Sequence, residues 1–106
     1  IISNYTKIGN RVYFDIGFEN IDTTGYVGDI TITGMPFTNN GARNPVSIMT
    51  YKGATWSTGQ LSALIEASTA AVHLYSIATD VAWTYSTHNP GGGRYFWVSG
   101  SYKTWA

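Results

Sequence analysis

The side chains best suited to chemistry in this sequence are its aromatic rings. Four Trp, eight Tyr and four Phe make up 15% of the chain. Phe14, Phe18, Phe37 and Phe96 are natural core residues. The other rings fall in expected turns or on outward strand faces: Tyr13, Tyr26, Tyr51, Trp56, Tyr75, Trp83, Tyr85, Tyr95, Trp97, Tyr102 and Trp105. Exposed Tyr and Trp offer a large contact area and lose little rotamer entropy on binding. They stack on the apolar faces of sugar rings or are buried in a subunit interface. The strand aromatics Tyr13, Tyr75 and Trp97 suit an oligomer interface. Trp56, Trp83, Tyr85 and Tyr51, together with Arg43 and His88, suit ligand binding, and Asn39, Asn40 and Asn89 would add hydrogen bonds from the same loops.

Other chemistries have weaker footing. Glycoside hydrolysis needs two carboxylates at a defined gap. Asp15 and Asp29 are both expected on outward strand faces, where a pair of surface carboxylates reads as solvation. His73 and His88 lie in different elements without carboxylates close in sequence, so no metal site is expected. The oxygen-rich run at 19–24 lacks the alternating acidic spacing of a calcium loop. Serines abound, but no strand-to-helix elbow presents one as a nucleophile. Gly91-Gly92-Gly93 follows no strand-to-helix pattern and reads as a hairpin tip. No catalytic residue, metal or cofactor is expected.

Composition bounds the rest. At 106 residues the chain reads as one domain, long enough to bury a core without staples, and it has no cysteine. Six basic and six acidic residues balance to zero, and charged residues are only 11% of the chain. A neutral chain has no counterion-release drive toward nucleic acid and no attraction to acidic membranes. No run of about 18 apolar residues could span a bilayer. A neutral surface rich in Thr, Ser, Asn and Tyr favours self-association. The first residue is Ile, so residues 1–106 are expected to be one domain cut from a longer protein.

These side chains must be positioned by strands. Residues 11–18 alternate strictly, with Val12, Phe14, Ile16 and Phe18 on one face and Arg11, Tyr13, Asp15 and Gly17 on the other. With residues 1–8 and the Gly9-Asn10 turn they predict a hairpin. Further strands are expected at 26–33, 45–51, 60–68, 69–77, 81–84 and 94–104. Gly34-Met35-Pro36-Phe37 ends the third, and Phe37 should plug the core. The segment 86–93 should be the most flexible loop. About eight short strands separated by Gly, Asn and Pro turns predict an all-β, antiparallel, jelly-roll-like sandwich.

Three motifs then resemble one family. Tyr5-Thr6-Lys7-Ile8-Gly9 leading into the alternating strand, Ile32-Thr33-Gly34-Met35-Pro36-Phe37-Thr38 (Met35 standing where leucine is usual) and Ser99-Gly100-Ser101-Tyr102-Lys103-Thr104 occur in order. They are similar to a β-sandwich module at the distal ends of tailed-phage tail fibres and tailspikes. The resemblance implies a C-terminal fibre or spike piece, a homotrimer carried on the virion and assembled in the host cytoplasm. It implies non-enzymatic recognition of host cell-surface polysaccharide. Two alternatives remain: a trimerisation cap without a ligand, and a carbohydrate-binding module of a bacterial enzyme. Residues 42–93 match no motif of the family.

Overall fold

β1 (Ile2–Ile8) and β2 (Arg11–Ile21) form the expected hairpin. Gly9 turns it at φ 59°, a left-handed backbone that glycine adopts at little cost. Pairing is unbroken from Ile2 opposite Gly17 to Ile8 opposite Arg11. The computed structural model describes residues 2–56 and 59–105. The start of the expected first strand at Ile1, and Ser57 and Thr58 of the expected turn, lie outside the described residues. The other strands are β3 (Thr31–Ile32), β4 (Asn44–Tyr51), β5 (Ala54–Thr55), β6 (Gln60–Ile65), β7 (Val72–Ala78), β8 (Val81–Tyr85), β9 (Thr87–His88) and β10 (Arg94–Lys103). Their pairings are antiparallel, and the described residues contain no helix.

Eight strands make one sheet in the order β1-β2-β10-β4-β6-β7-β3, with β8 also paired to β7; β5 and β9 make a small second sheet. The large sheet curls into a half-barrel whose two halves turn their inner faces to one core. Val12 and Phe14 of β2, Phe96, Val98 and Tyr102 of β10, Ala63 and Ile65 of β6, and Val72 and Leu74 of β7 are buried there with Ile30, Ile32 and Met35. Full burial of each large apolar side chain stabilises the fold by about 1.5–3 kcal/mol. Gly100 shows how closely β10 is packed. A Cβ there would lie 3.0 Å from Val46 Cγ1. The molecule measures 39 × 35 × 18 Å, and the short dimension suits two sheet layers packed about 10 Å apart.

The three family-like motifs converge on one corner of this core. The Tyr102 hydroxyl donates to Phe37 O at 2.7 Å and accepts from Phe37 N at 3.2 Å. Tyr5 packs edge-on against the Phe37 ring at 5.7 Å, and the Lys7 ammonium lies 5.6 Å from that ring's centre. Phe14 packs edge-on against Tyr102 at 5.9 Å. The motifs therefore build a lock between β1, the 35–37 turn and β10. Phe37 closes the core as expected, half-buried against it.

Several expectations need correction. Tyr102 is fully buried rather than outward-facing, because it shares a face with Phe96 and Val98. The strand expected at 26–33 shrinks to Thr31–Ile32 plus a bridge from Asp29 to Thr87. Gly25 and Gly28, at φ 90° and 82°, break the extended run before it. β2 continues to Ile21 because β10 flanks it there, Arg94 lying opposite Ile21. The strand expected at 60–68 stops at Ile65, and Ser68 takes a positive φ of 63°. Gly91-Gly92-Gly93 is no hairpin tip, since β9 pairs with β5 while β10 pairs with β2 and β4. Nor is 86–93 a loose loop. The Arg94 guanidinium donates to the carbonyls of Asn89, Pro90 and Gly92 at 2.7–2.8 Å, and Thr23 N donates to Gly91 O at 2.8 Å.

Candidate functional site: the aromatic outer face

Outward residues of β7 and β8 build the most elaborate side-chain cluster on the surface. Tyr75 lies opposite Tyr85 across the β7–β8 ladder, and Trp83 is the next residue of β8 on that face. Tyr75 stacks on Tyr85 at 5.0 Å and on Trp83 at 5.3 Å, both at 26°. The two β8 rings cover it, so Tyr75 is only 4% exposed while Trp83 and Tyr85 remain 47% and 49% exposed. His73, two residues before Tyr75, lies 6.1 Å from the Tyr85 ring.

Charge frames the stack. Glu66, just past β6, accepts from the Tyr75 hydroxyl at 2.7 Å through Oε2 and from Arg43 Nε at 3.0 Å through Oε1. Arg43 in turn places its guanidinium 5.5 Å from the Trp83 ring centre. The Tyr75 bond, then Arg43, holds the Glu66 carboxyl below its usual range, against the opposing effect of burial. Tyr75 is pushed well above the usual phenol range, first by burial and then by its bond to Glu66. At neutral pH Glu66 is therefore a carboxylate and the Tyr75 phenol neutral, beside the exposed Trp83 and Tyr85 rings.

A second aromatic group lies on the outer face of β4 and β10. Tyr95 sits opposite Tyr51, and Trp97 opposite Met49. Tyr95 stacks on Trp97 at 5.5 Å and meets Tyr51 edge-on at 5.9 Å, with Lys52 over the Tyr51 ring. Tyr13 is exposed on the same face of β2.

The residues expected to bind a ligand are thus divided. Arg43, Trp83 and Tyr85 are brought together. Tyr51 belongs to the Tyr95–Trp97 group. His88 lies on β9, edge-on to Tyr26 at 5.5 Å, and burial lowers its pKa. Trp56 follows β5 and is exposed. Among the residues expected at an interface, Tyr13 is exposed, Trp97 is half-buried and Tyr75 is already covered by its own chain. Asp15 and Asp29 are not neighbours: Asp15 pairs with Asn4 and Ser99, whereas Asp29 bridges to Thr87. Asn39 is buried, its amide spent on the carbonyls of Ala42, Ile65 and Glu66, so it braces the 39–42 turn. Sequence reasoning missed Glu66 as the anchor of the stack. No local signal marks it, because its partners lie 9 and 23 residues away.

Fold and surface define an all-β, open, curled antiparallel domain whose outer face is unusually aromatic. No protein-family model, curated protein or solved structure matches the chain.

Proposed function

We propose that this chain is a non-enzymatic receptor-binding domain that recognises host-surface carbohydrate, as the tip of a homotrimeric phage fibre or tailspike. The observation that carries the recognition role is the Trp83–Tyr75–Tyr85 stack with Arg43 and Glu66 at its border. Rings held by stacking and by a buried-side hydrogen bond offer contact area with little left to order on binding. Arg43 and Glu66 supply a fork of donors and an acceptor suited to sugar hydroxyls. Each site would bind weakly, and three linked copies would raise the effective strength. The fibre-tip assignment is supported by the three motifs and by the lock they form.

The test is adsorption of the purified protein to bacterial surface polysaccharide, wild type against Trp83→Ala/Tyr85→Ala, with solution mass measured alongside. Loss of adsorption at unchanged mass supports recognition. Unchanged adsorption by the variant removes the site from the account. A second reading, an assembly cap, is favoured by one observation. Among the described residues β1 pairs only with β2, leaving a free edge on which Ile2, Tyr5 and Ile8 are exposed. Such an edge is a template for another chain. A monomeric mass would count against that reading and against the homotrimeric fibre tip alike.

A further inference from the structure

The outer face of β1, β2, β10 and β4 carries a groove that the packing of the core does not require. Register aligns Asn4, Asp15, Ser99 and Ser47 in a row, one from each strand. The next row on one side includes Ile2, Trp97 and Met49; Tyr13 rises on the other side. Such rows lie about 7 Å apart. The low row between taller walls leaves two adjoining depressions of about 360 and 420 Å³, both lined by Asp15 and Ser99, the one beside Trp97 mainly apolar and the other mixed.

Trp97 is fixed beside this row. Tyr95 stacks on one face of its indole at 5.5 Å, and the indole N–H donates to Glu19 Oε2 at 3.1 Å. The ring leans over Gly17, where a Cβ would lie 3.5 Å from Trp97 Cδ1. The next outward residue of β10 on the uncovered side is the small Ser99. The second face of the indole therefore opens over the polar row. A sugar ring needs this pairing: an aromatic face for its C–H side, and hydroxyl, amide and carboxylate groups for its oxygens. Charge narrows the class. Among the described residues, those lining the two depressions include Asp15 and Glu19 but no lysine or arginine. Arg11 borders the second depression through its bonds to Ser101, so the acidic field belongs to the depression beside Trp97, where a neutral sugar suits it and an acidic one does not.

We propose that this groove is a subsite for neutral hexopyranosyl residues, with Trp97 as the stacking platform and Asp15 as the main hydroxyl acceptor. It rests on the carbohydrate reading but occupies a different part of the face from Trp83 and Tyr85. A polysaccharide would then meet each chain at two places.

The test is an NMR titration of the ¹⁵N-labelled protein with the methyl glycosides of glucose, galactose, N-acetylglucosamine and glucuronic acid. Neutral glycosides should shift the Trp97 indole N–H and the Ser99 amide, with the glucuronide about 10-fold weaker. Asp15→Asn, which keeps the shape of the groove, should weaken neutral binding about 5-fold and narrow the gap to the glucuronide. Trp97→Ala should abolish the shifts; Asp15→Asn carries the test if that variant does not fold. Equal response to the glucuronide, or self-association that buries Trp97 and Tyr13, overturns the proposal. If neutral glycosides shift only β7 and β8, the groove falls while the carbohydrate reading stands. If they shift nothing, both fall.

Discussion

Replacing Tyr102 with Phe removes one oxygen and keeps the ring that packs against Phe14. The lost hydroxyl serves two backbone groups of Phe37, accepting from its N–H at 3.2 Å and donating to its C=O at 2.7 Å. Each hydrogen bond contributes about 1 kcal/mol net, and orphaned buried groups cost more. Phe37 is half-buried, so water can reach its freed groups in part. The two bonds together should therefore cost about 2 kcal/mol. In a domain of this size that lowers the melting temperature by about 8–12 °C. Urea unfolding of wild type and Tyr102→Phe, with hydrogen exchange at the Phe37 amide, measures both the global and the local effect. The lock is structural, so the carbohydrate binding proposed above should be unchanged at 25 °C. A loss below about 0.5 kcal/mol with Phe37 exchange unaltered would refute the lock, since a surface substitution does as little.

Other perturbations have equally definite outcomes. Arg94→Lys cannot reach three carbonyls of the 89–92 turn at once, so amide exchange there should accelerate and stability should fall by about 1–2 kcal/mol. Tyr75→Phe should cost about 1 kcal/mol at pH 7 by removing a hydrogen bond to a partly exposed carboxylate. Because Glu66 has a depressed folded-state pKa, its contribution is present above the ordinary value of 4.5 and is lost as pH falls through the folded pKa. The stability gap between wild type and Tyr75→Phe should accordingly close below that pH, as followed by urea midpoints from pH 3 to 7. A gap that stays constant would remove Glu66 as the partner that matters.

Much of the fold was legible because period-two alternation reports burial directly. The strands expected at 11–18 and 45–51 lie within β2 and β4, and the one expected at 69–77 begins only at Val72. The same signal reaches Tyr102, which keeps step with Phe96 and Val98. Order in the sheet was not legible, because β10 pairs with strands more than 40 residues earlier and pairing leaves no local mark. Alternation puts Tyr75 on the outward face of β7, but its burial comes from rings on β8. The 86–93 segment looked loose from its glycines, yet its rigidity comes from Arg94 and from backbone acceptors that composition does not reveal. Of the candidate site, Arg43, Trp83 and Tyr85 were identified individually; their convergence depends on the β6–β7–β8 ladder and on Glu66.

The central claim is that exposed aromatics of the outer face recognise carbohydrate. Glycan-array binding tests it most directly, with wild type and Trp83→Ala/Tyr85→Ala compared at matched solution mass. Selective binding of wild type to bacterial surface glycans is expected, weakened in the variant to what the Trp97 groove retains; no glycan bound by a well-folded wild-type protein would contradict the carbohydrate reading.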